Sequence, residues 1–258
     1  MTEEPLVRKE IKGAVAIITL NRPEKRNAFS AKLLSAVKEA FSEFPDSVRA
    51  VVFAGEGMHF CAGLDLAEHR EAEPFESSLF SRAGHEIVKS IRYCGRPVIS
   101  AVQGAVIGGG FEMASATQIR VADTSTFYRL PEGKRGFFLG GSGTVYVSRL
   151  LGPDRMTEMM LTGRKIEADE GQRLGLSHYL VPEGESLAKA LELAEDVAGN
   201  AAIANYMIVN AISHISEMPS EAGLFTESIA QALSLTGTDR RDGIDEFLIN
   251  KRDARFGA

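Results

Sequence analysis

Tryptophan is absent from the 258-residue chain, aromatic residues make up 7% of it, and there are two cysteines, Cys61 and Cys94. Two cysteines cannot build a disulfide framework. Neither lies in a Cys-x-x-Cys pair, so a zinc site or a thioredoxin-type motif has no support and no metal is expected. Apolar runs stay short of the ~18 residues that a membrane-spanning helix needs. Positive charge is in deficit: 29 Lys+Arg stand against 35 Asp+Glu, for a net charge of −6 and a pI near 5.5. That balance argues against broad binding to nucleic acid or to an anionic membrane. The opening Met1-Thr2-Glu3-Glu4-Pro5 is acidic where a secretory signal would be basic, and a cytoplasmic location is expected. What remains, 44% hydrophobic residues at a mean hydropathy of −0.06, is ordinary globular composition, and a chain of this length can bury roughly three quarters of its unfolded surface.

The order of apolar patterns implies an α/β protein. Residues 14–20 and 49–54 are short apolar, β-branched runs, and between them Ser30 is a fitting N-cap for a helix carrying Leu33, Leu34, Val37, Ala40 and Phe41 at helical spacing. A helix over about 74–93 leads to a third run, 97–102, and strands alternating with helices imply parallel, buried pairing. Beyond about residue 145 the strand signal fades and helices dominate. Three apolar stripes close the chain: Ile208/Ile212/Ile215, Phe225/Ile229/Leu233 and Ile244/Phe247/Leu248. The change in character divides a core, 1–195, from a helical subdomain, 196–258.

Two glycine-rich turns follow strands: His59-Phe60-Cys61-Ala62-Gly63-Leu64-Asp65-Leu66, and Gly104 to Glu112 with its triplet Gly108-Gly109-Gly110. A helix start has unpaired N–H groups and partial positive charge, and glycine lets a ligand oxygen reach them, so such turns suit an oxyanion. Neither turn has the Gly-Lys-Ser/Thr of a nucleotide loop. Glu112 lies three residues after Gly109, among apolar neighbours, and Glu132 sits in the turn Leu130-Pro131-Glu132-Gly133. Two carboxylates beside an oxyanion site are what addition of water to a polarised double bond requires, one to take a proton from water and one to give a proton to carbon. Ser115 is poorly placed as a nucleophile, since it lies well past the oxyanion glycine and no histidine can be assigned as its base.

At these residues the chain resembles the crotonase superfamily of enoyl-CoA hydratases and isomerases. Asn21 to Ala28 looks like that family's opening turn, Phe60 to Leu66 its first oxyanion segment and Gly104 to Glu112 its second; Leu161-Thr162-Gly163, Gly175-Leu176 and Phe247 to Arg252 also match in order. The resemblance implies a crotonase-like spiral of ββα units with a C-terminal helical trimerisation region, a homotrimer or homohexamer, and an acyl-CoA substrate with no separate cofactor. It implies that the N–H groups of Leu64 and Gly109 form the oxyanion hole and that Glu112 and Glu132 are the catalytic pair of the hydratase branch. It also implies that Lys25, Arg26, Ala28, Ala62, Leu64, Asp65, Leu66 and Ala67 face coenzyme A. A side chain at Gly109 is then expected to obstruct the thioester. The expected activity is hydration of a trans-2-enoyl-CoA, the alternatives being a hydratase-lyase or isomerase on a modified acyl-CoA, or a non-enzymatic RNA-binding role. The segment Gly133 to Gly141 departs from the family pattern, with Lys134, Arg135, Phe137 and Phe138 suggesting an altered acyl pocket.

Overall fold

A computed structural model describes residues 4–67 and 73–236. The first half of the chain holds β1 (Val7–Lys12), β2 (Val15–Leu20), α1 (Ala31–Ala40), β3 (Ala50–Gly55), α2 (Pro74–Arg92), β4 (Val98–Val102), β5 (Ala105–Ile107), α3 (Gly109–Ala116), β6 (Ile119–Asp123) and β7 (Phe127–Arg129). The second half continues with α4 (Glu132–Arg135), α5 (Gly143–Leu151), α6 (Pro153–Thr162), β8 (Lys165–Glu167), α7 (Ala168–Arg173), β9 (Tyr179–Val181), α8 (Ser186–Ala198), α9 (Ala202–Ile215) and α10 (Ser220–Ser234).

The apolar runs become β2, β3 and β4 because each can bury both faces. Successive strand side chains point to opposite sides, so Ala16, Ile18, Leu20, Val51, Phe53, Val98 and Val102 join one cluster while Val15, Ile17, Ala50, Val52, Ala54, Ile99 and Ala101 join another. The first cluster lies against α1, α2 and α3; the second receives Ala190 and Ala194 of α8. These strands form the middle of a six-stranded sheet of order β1-β2-β3-β4-β6-β9, in which β1 pairs antiparallel and the rest run parallel. Ser30 caps α1 by accepting the Leu33 N–H at 3.2 Å, an interaction of about 1 kcal/mol. The helix ends at Ala40, where Phe41 turns to meet Phe53 edge-on at 5.3 Å.

A second, three-stranded sheet of order β5-β7-β8 lies beside the first, and isolated bridges Phe29↔Leu64 and Cys61↔Val106 extend its line. The turns that begin with β2, β3, β4 and β6 thus each run a strand in the large sheet, a short strand or bridge in the small one, then a helix. That is the ββα spiral. The strand signal does not end at residue 145: β8 and β9 follow it, each only three residues long and too short to show a periodicity. The first two C-terminal stripes lie on α9 and α10, which pack on each other. The third stripe, and the motif Phe247 to Arg252, fall outside the described residues.

Candidate active site

Three successive turns of the spiral are laced together by backbone hydrogen bonds. Phe29 N–H donates to Gly63 O at 2.9 Å and Asp65 N–H to Phe29 O at 3.1 Å, while Cys61 N–H donates to Ala105 O and Ile107 N–H to Cys61 O, both at 3.0 Å. The lacing stops at Leu64 and Gly109, whose N–H groups have no acceptor among the described residues. Gly109 is the first residue of α3, where a helix leaves its N–H groups unpaired. Two glycines make this closeness possible: Gly63 has φ +84° and Gly108 φ +52°, and a Cβ would meet Ile107 O at 2.7 Å on the former and Glu132 Oε1 at 2.6 Å on the latter. Gly109 is constrained differently. A Cβ there would run into the Phe29 ring, so the first obstacle to a side chain at Gly109 is Phe29 rather than a bound thioester.

These residues line a cavity of about 450 Å³ closed by α2, α3 and residues 137–141. Phe29, Phe80, Ile87, Val88, Met113 and Leu139 give it apolar walls, and its titratable lining residues are Glu112, Glu132 and Arg135. Glu112 is 5% exposed and Glu132 4%. The turn expected around Glu132 is the short helix α4. Glu112 Oε1 accepts the N–H groups of Gly141 (2.9 Å) and Gly143 (2.7 Å). Burial nevertheless pushes its pKa up to about 7, against these two donors and aided by the charge of Glu132. Glu132 is also raised by burial, opposed in part by Arg135, and its Oε2 is buried with no hydrogen-bond partner among the described residues. Two buried carboxyls, both raised in pKa by burial, therefore face one apolar chamber beside two amides that have no acceptor among the described residues, which is a suitable environment for acid–base work.

The eight positions expected to face coenzyme A divide into groups. Ala62, Leu64 and Leu66 line the cavity; Lys25, Arg26 and Ala67 are exposed and Ala28 is buried. The Asp65 carboxylate is taken up within the protein, by Arg22 at 3.0 Å and by the Ala67 N–H at 3.2 Å. Arg22 also donates to Ala28 O at 2.9 Å, and buried Asn27 donates to Glu56 O and His59 O. These are the side chains that tie the opening turn to the glycine-rich segment 59–66. They stand in the motif Asn21 to Ala28, but its composition alone does not say which side chain points inward. Lys134 and Arg135 are exposed, with Arg135 at the cavity wall beside Phe137 and Phe138. Ser115 Oγ donates to Glu112 O within its own helix, and His59 Nδ1 accepts the Ala105 N–H. His69 lies outside the described residues.

A family model described as enoyl-CoA hydratase/isomerase matches residues 10–258. The chain belongs to the enoyl-CoA hydratase/isomerase family. Among its relatives, a short-chain-enoyl-CoA hydratase of Clostridium acetobutylicum is 30% identical over 250 residues, covering 96% of each chain. A carnitinyl-CoA dehydratase of Salmonella typhi is 36% identical over 214 residues, 82% of this chain and 81% of that one. Among solved structures, an enoyl-CoA hydratase of Bacillus anthracis superposes with a TM-score of 0.89 at 29% identity, covering 95% of this chain and 96% of that chain. A Rhodopseudomonas palustris relative reaches 0.92 at 44% identity, with 97% and 98% covered. The enoyl-CoA hydratase/isomerase likeness thus spans the whole spiral, and the fold is that of the crotonase superfamily.

Proposed function

We propose that this protein is an enoyl-CoA hydratase, adding water reversibly across the double bond of a trans-2-enoyl-CoA. The observation that carries the reading is that Glu112 and Glu132, both buried and both raised in pKa, line the same cavity as Leu64 and Gly109. A reaction that only moves a proton needs one carboxyl; addition of water needs a base for the water and an acid for Cα. The Leu64 and Gly109 N–H groups would hold the thioester oxygen as it gains negative charge, which makes Cβ electrophilic. Glu112, whose anion is favoured by the two glycine amides, takes the proton as the water oxygen bonds to Cβ. Glu132, whose buried Oε2 lacks a partner and whose neutral form is favoured by burial, gives its proton to Cα. Water's second hydrogen remains on the new hydroxyl, and delivery of both groups from one side makes the addition syn.

The substrate is tested with a panel of enoyl-CoA thioesters and product mass spectrometry. Hydration of at least one trans-2-enoyl-CoA is expected, with kcat/KM rising with pH through about 7 as Glu112 loses its proton. A shifted double bond without added mass would favour an isomerase; cleavage to a shorter thioester would favour a hydratase-lyase. Failure of every thioester would remove the enzyme reading.

The functional particle is proposed to be a trimer or a dimer of trimers. Ile208 (55% exposed) and Ile212 (60%) of α9, with Phe225 (69%) and Leu224 (58%) of α10, leave apolar surface uncovered in the single chain. Light scattering at micromolar concentration should give a mass well above 27.9 kDa; a clean monomer would remove the assembly.

A further inference from the structure

Glu112 Oε1 is held by two amides, that of Gly141 on the loop before α5 and that of Gly143 at the first residue of α5, and the loop is held from outside the catalytic pair. The carbonyl of Gly140 and the N–H of Gly141 are two ends of one peptide unit. Ser81 Oγ, on the facing helix α2, donates to that carbonyl at 2.6 Å, and the N–H at the other end donates to Glu112 at 2.9 Å. We infer that Ser81 is a positioning residue that locks the Gly140–Gly141 peptide so that its N–H faces Glu112. The inference rests on the hydratase reading for its kinetic consequence, not for its geometry.

The lock matters because this peptide has little else to fix its orientation. Turning its plane changes ψ of Gly140 and φ of Gly141, and with glycine on both sides no Cβ opposes the rotation. Space is tighter at Gly141 than at Gly140. A Cβ on Gly141 would collide with Glu112 Oε2, and one on Gly140 would lie 3.3 Å from Ser81 Oγ. The next residue, Ser142, has φ +87°, which turns the chain so that Gly143 can present a second N–H to the same oxygen, in the manner of the anion-binding concavities built from consecutive amides. A turned Gly140–Gly141 peptide would bring a carbonyl oxygen to Glu112 in place of an N–H, exchanging a group that favours the anion for one that opposes it.

Glu132 and Arg135 of α4 line the same cavity as Glu112, α2 contributes the neutral Ser77, Ser78 and Ser81, and α5 contributes Gly143. Ser81→Ala leaves all of these charges in place.

The test compares Ser81→Ala and Ser81→Thr with the parent, and uses Ser90→Ala as a control. Ser90 is on α2 too, and its hydroxyl bonds to Ile87 O in its own helix. Two readouts are followed against pH: turnover of trans-2-butenoyl-CoA, and the infrared carboxyl band that Glu112→Gln abolishes. Ser81→Ala should lower kcat at neutral pH by ~10-fold with KM little changed. It should also move the acid limb of the pH profile, and the infrared midpoint, upward by about one pH unit. Ser81→Thr, keeping a hydroxyl, should restore both in large part, and Ser90→Ala should match the parent. An unmoved infrared midpoint in Ser81→Ala overturns the inference, whether or not activity falls, because a merely structural role would lower activity or melting temperature without shifting it. A moved midpoint in a protein that hydrates no enoyl-CoA would uphold the lock and remove the hydratase reading.

Discussion

Glu112→Gln and Glu132→Gln are each expected to lower kcat for enoyl-CoA hydration by roughly 10²–10⁴, the usual contribution of a positioned acid or base. KM should change little, since Gln keeps the shape and hydrogen-bonding capacity of the side chain. The double variant should lose much less than the product of the two effects, because groups that act as one unit are not additive. If Glu112→Gln kept hydration while Glu132→Gln abolished it, the pair would give way to hydration by Glu132 alone, serving first as base and then as acid. Melting curves separate this loss from unfolding. The pKa of Glu112 is raised from an ordinary 4.5 to about 7 by burial, so between those values the folded protein holds a proton that the unfolded chain releases. The contribution of the neutral carboxyl to stability is therefore complete below about 4.5 and lost as pH rises through about 7. Gln cannot ionise, so Glu112→Gln should melt at or above the parent's temperature above pH 7, by up to about 3 kcal/mol in stability. A lower melting temperature there would mean that the two glycine amides outweigh burial.

A methyl group at Gly109 is expected to lower kcat/KM by ~10²–10³, equivalent to about 3 to 4 kcal/mol for loss of one oxyanion donor. The physical route is indirect. The added Cβ would overlap the Phe29 ring, so either the ring is driven into the cavity it lines or the first turn of α3 withdraws and takes the Gly109 N–H with it. Gly109→Ala combined with Phe29→Leu makes room for the methyl group and distinguishes the two routes. Recovery of both melting temperature and turnover would mean that displacement was the cause. Recovery of melting temperature alone would mean that the methyl group obstructs the substrate. Turnover of the single variant within a few-fold of the parent would mean that the methyl group neither displaces the amide nor meets the substrate, and would overturn this expectation.

The legible part of this protein was the part with local causes. β2, β3 and β4 could be read because a strand buried on both faces must be continuously apolar, and α1 because Ser30 caps it and its stripe has helical spacing. Gly63, Gly108 and Gly109 stood out because turns and close approaches select glycine, and Glu112 because a carboxyl amid Phe111, Met113 and Ala114 needs a reason. β1 was missed because Val7–Lys12 has only two apolar residues, set apart by three consecutive charges, and so shows neither an apolar run nor an alternation. The strands β5, β7 and β8, of three residues each, were missed because so short a segment has no period to detect.

The amino-acid sequence by itself determined the class of the fold and the glycine turns, and it marked Glu112 and Glu132 as candidates, since each depends on residue type within a few positions. Only the tertiary structure decided what those groups meet. Gly141 and Gly143 reach Glu112 across 29 and 31 residues, Ser81 reaches Gly140 across 59, and Arg22 claims Asp65 across 43. The raised pKa of Glu112 and Glu132 likewise comes from burial by segments distant in the chain. The reason is physical: desolvation and hydrogen bonding act through space, and the spiral brings successive turns within bonding distance at places that no local pattern marks.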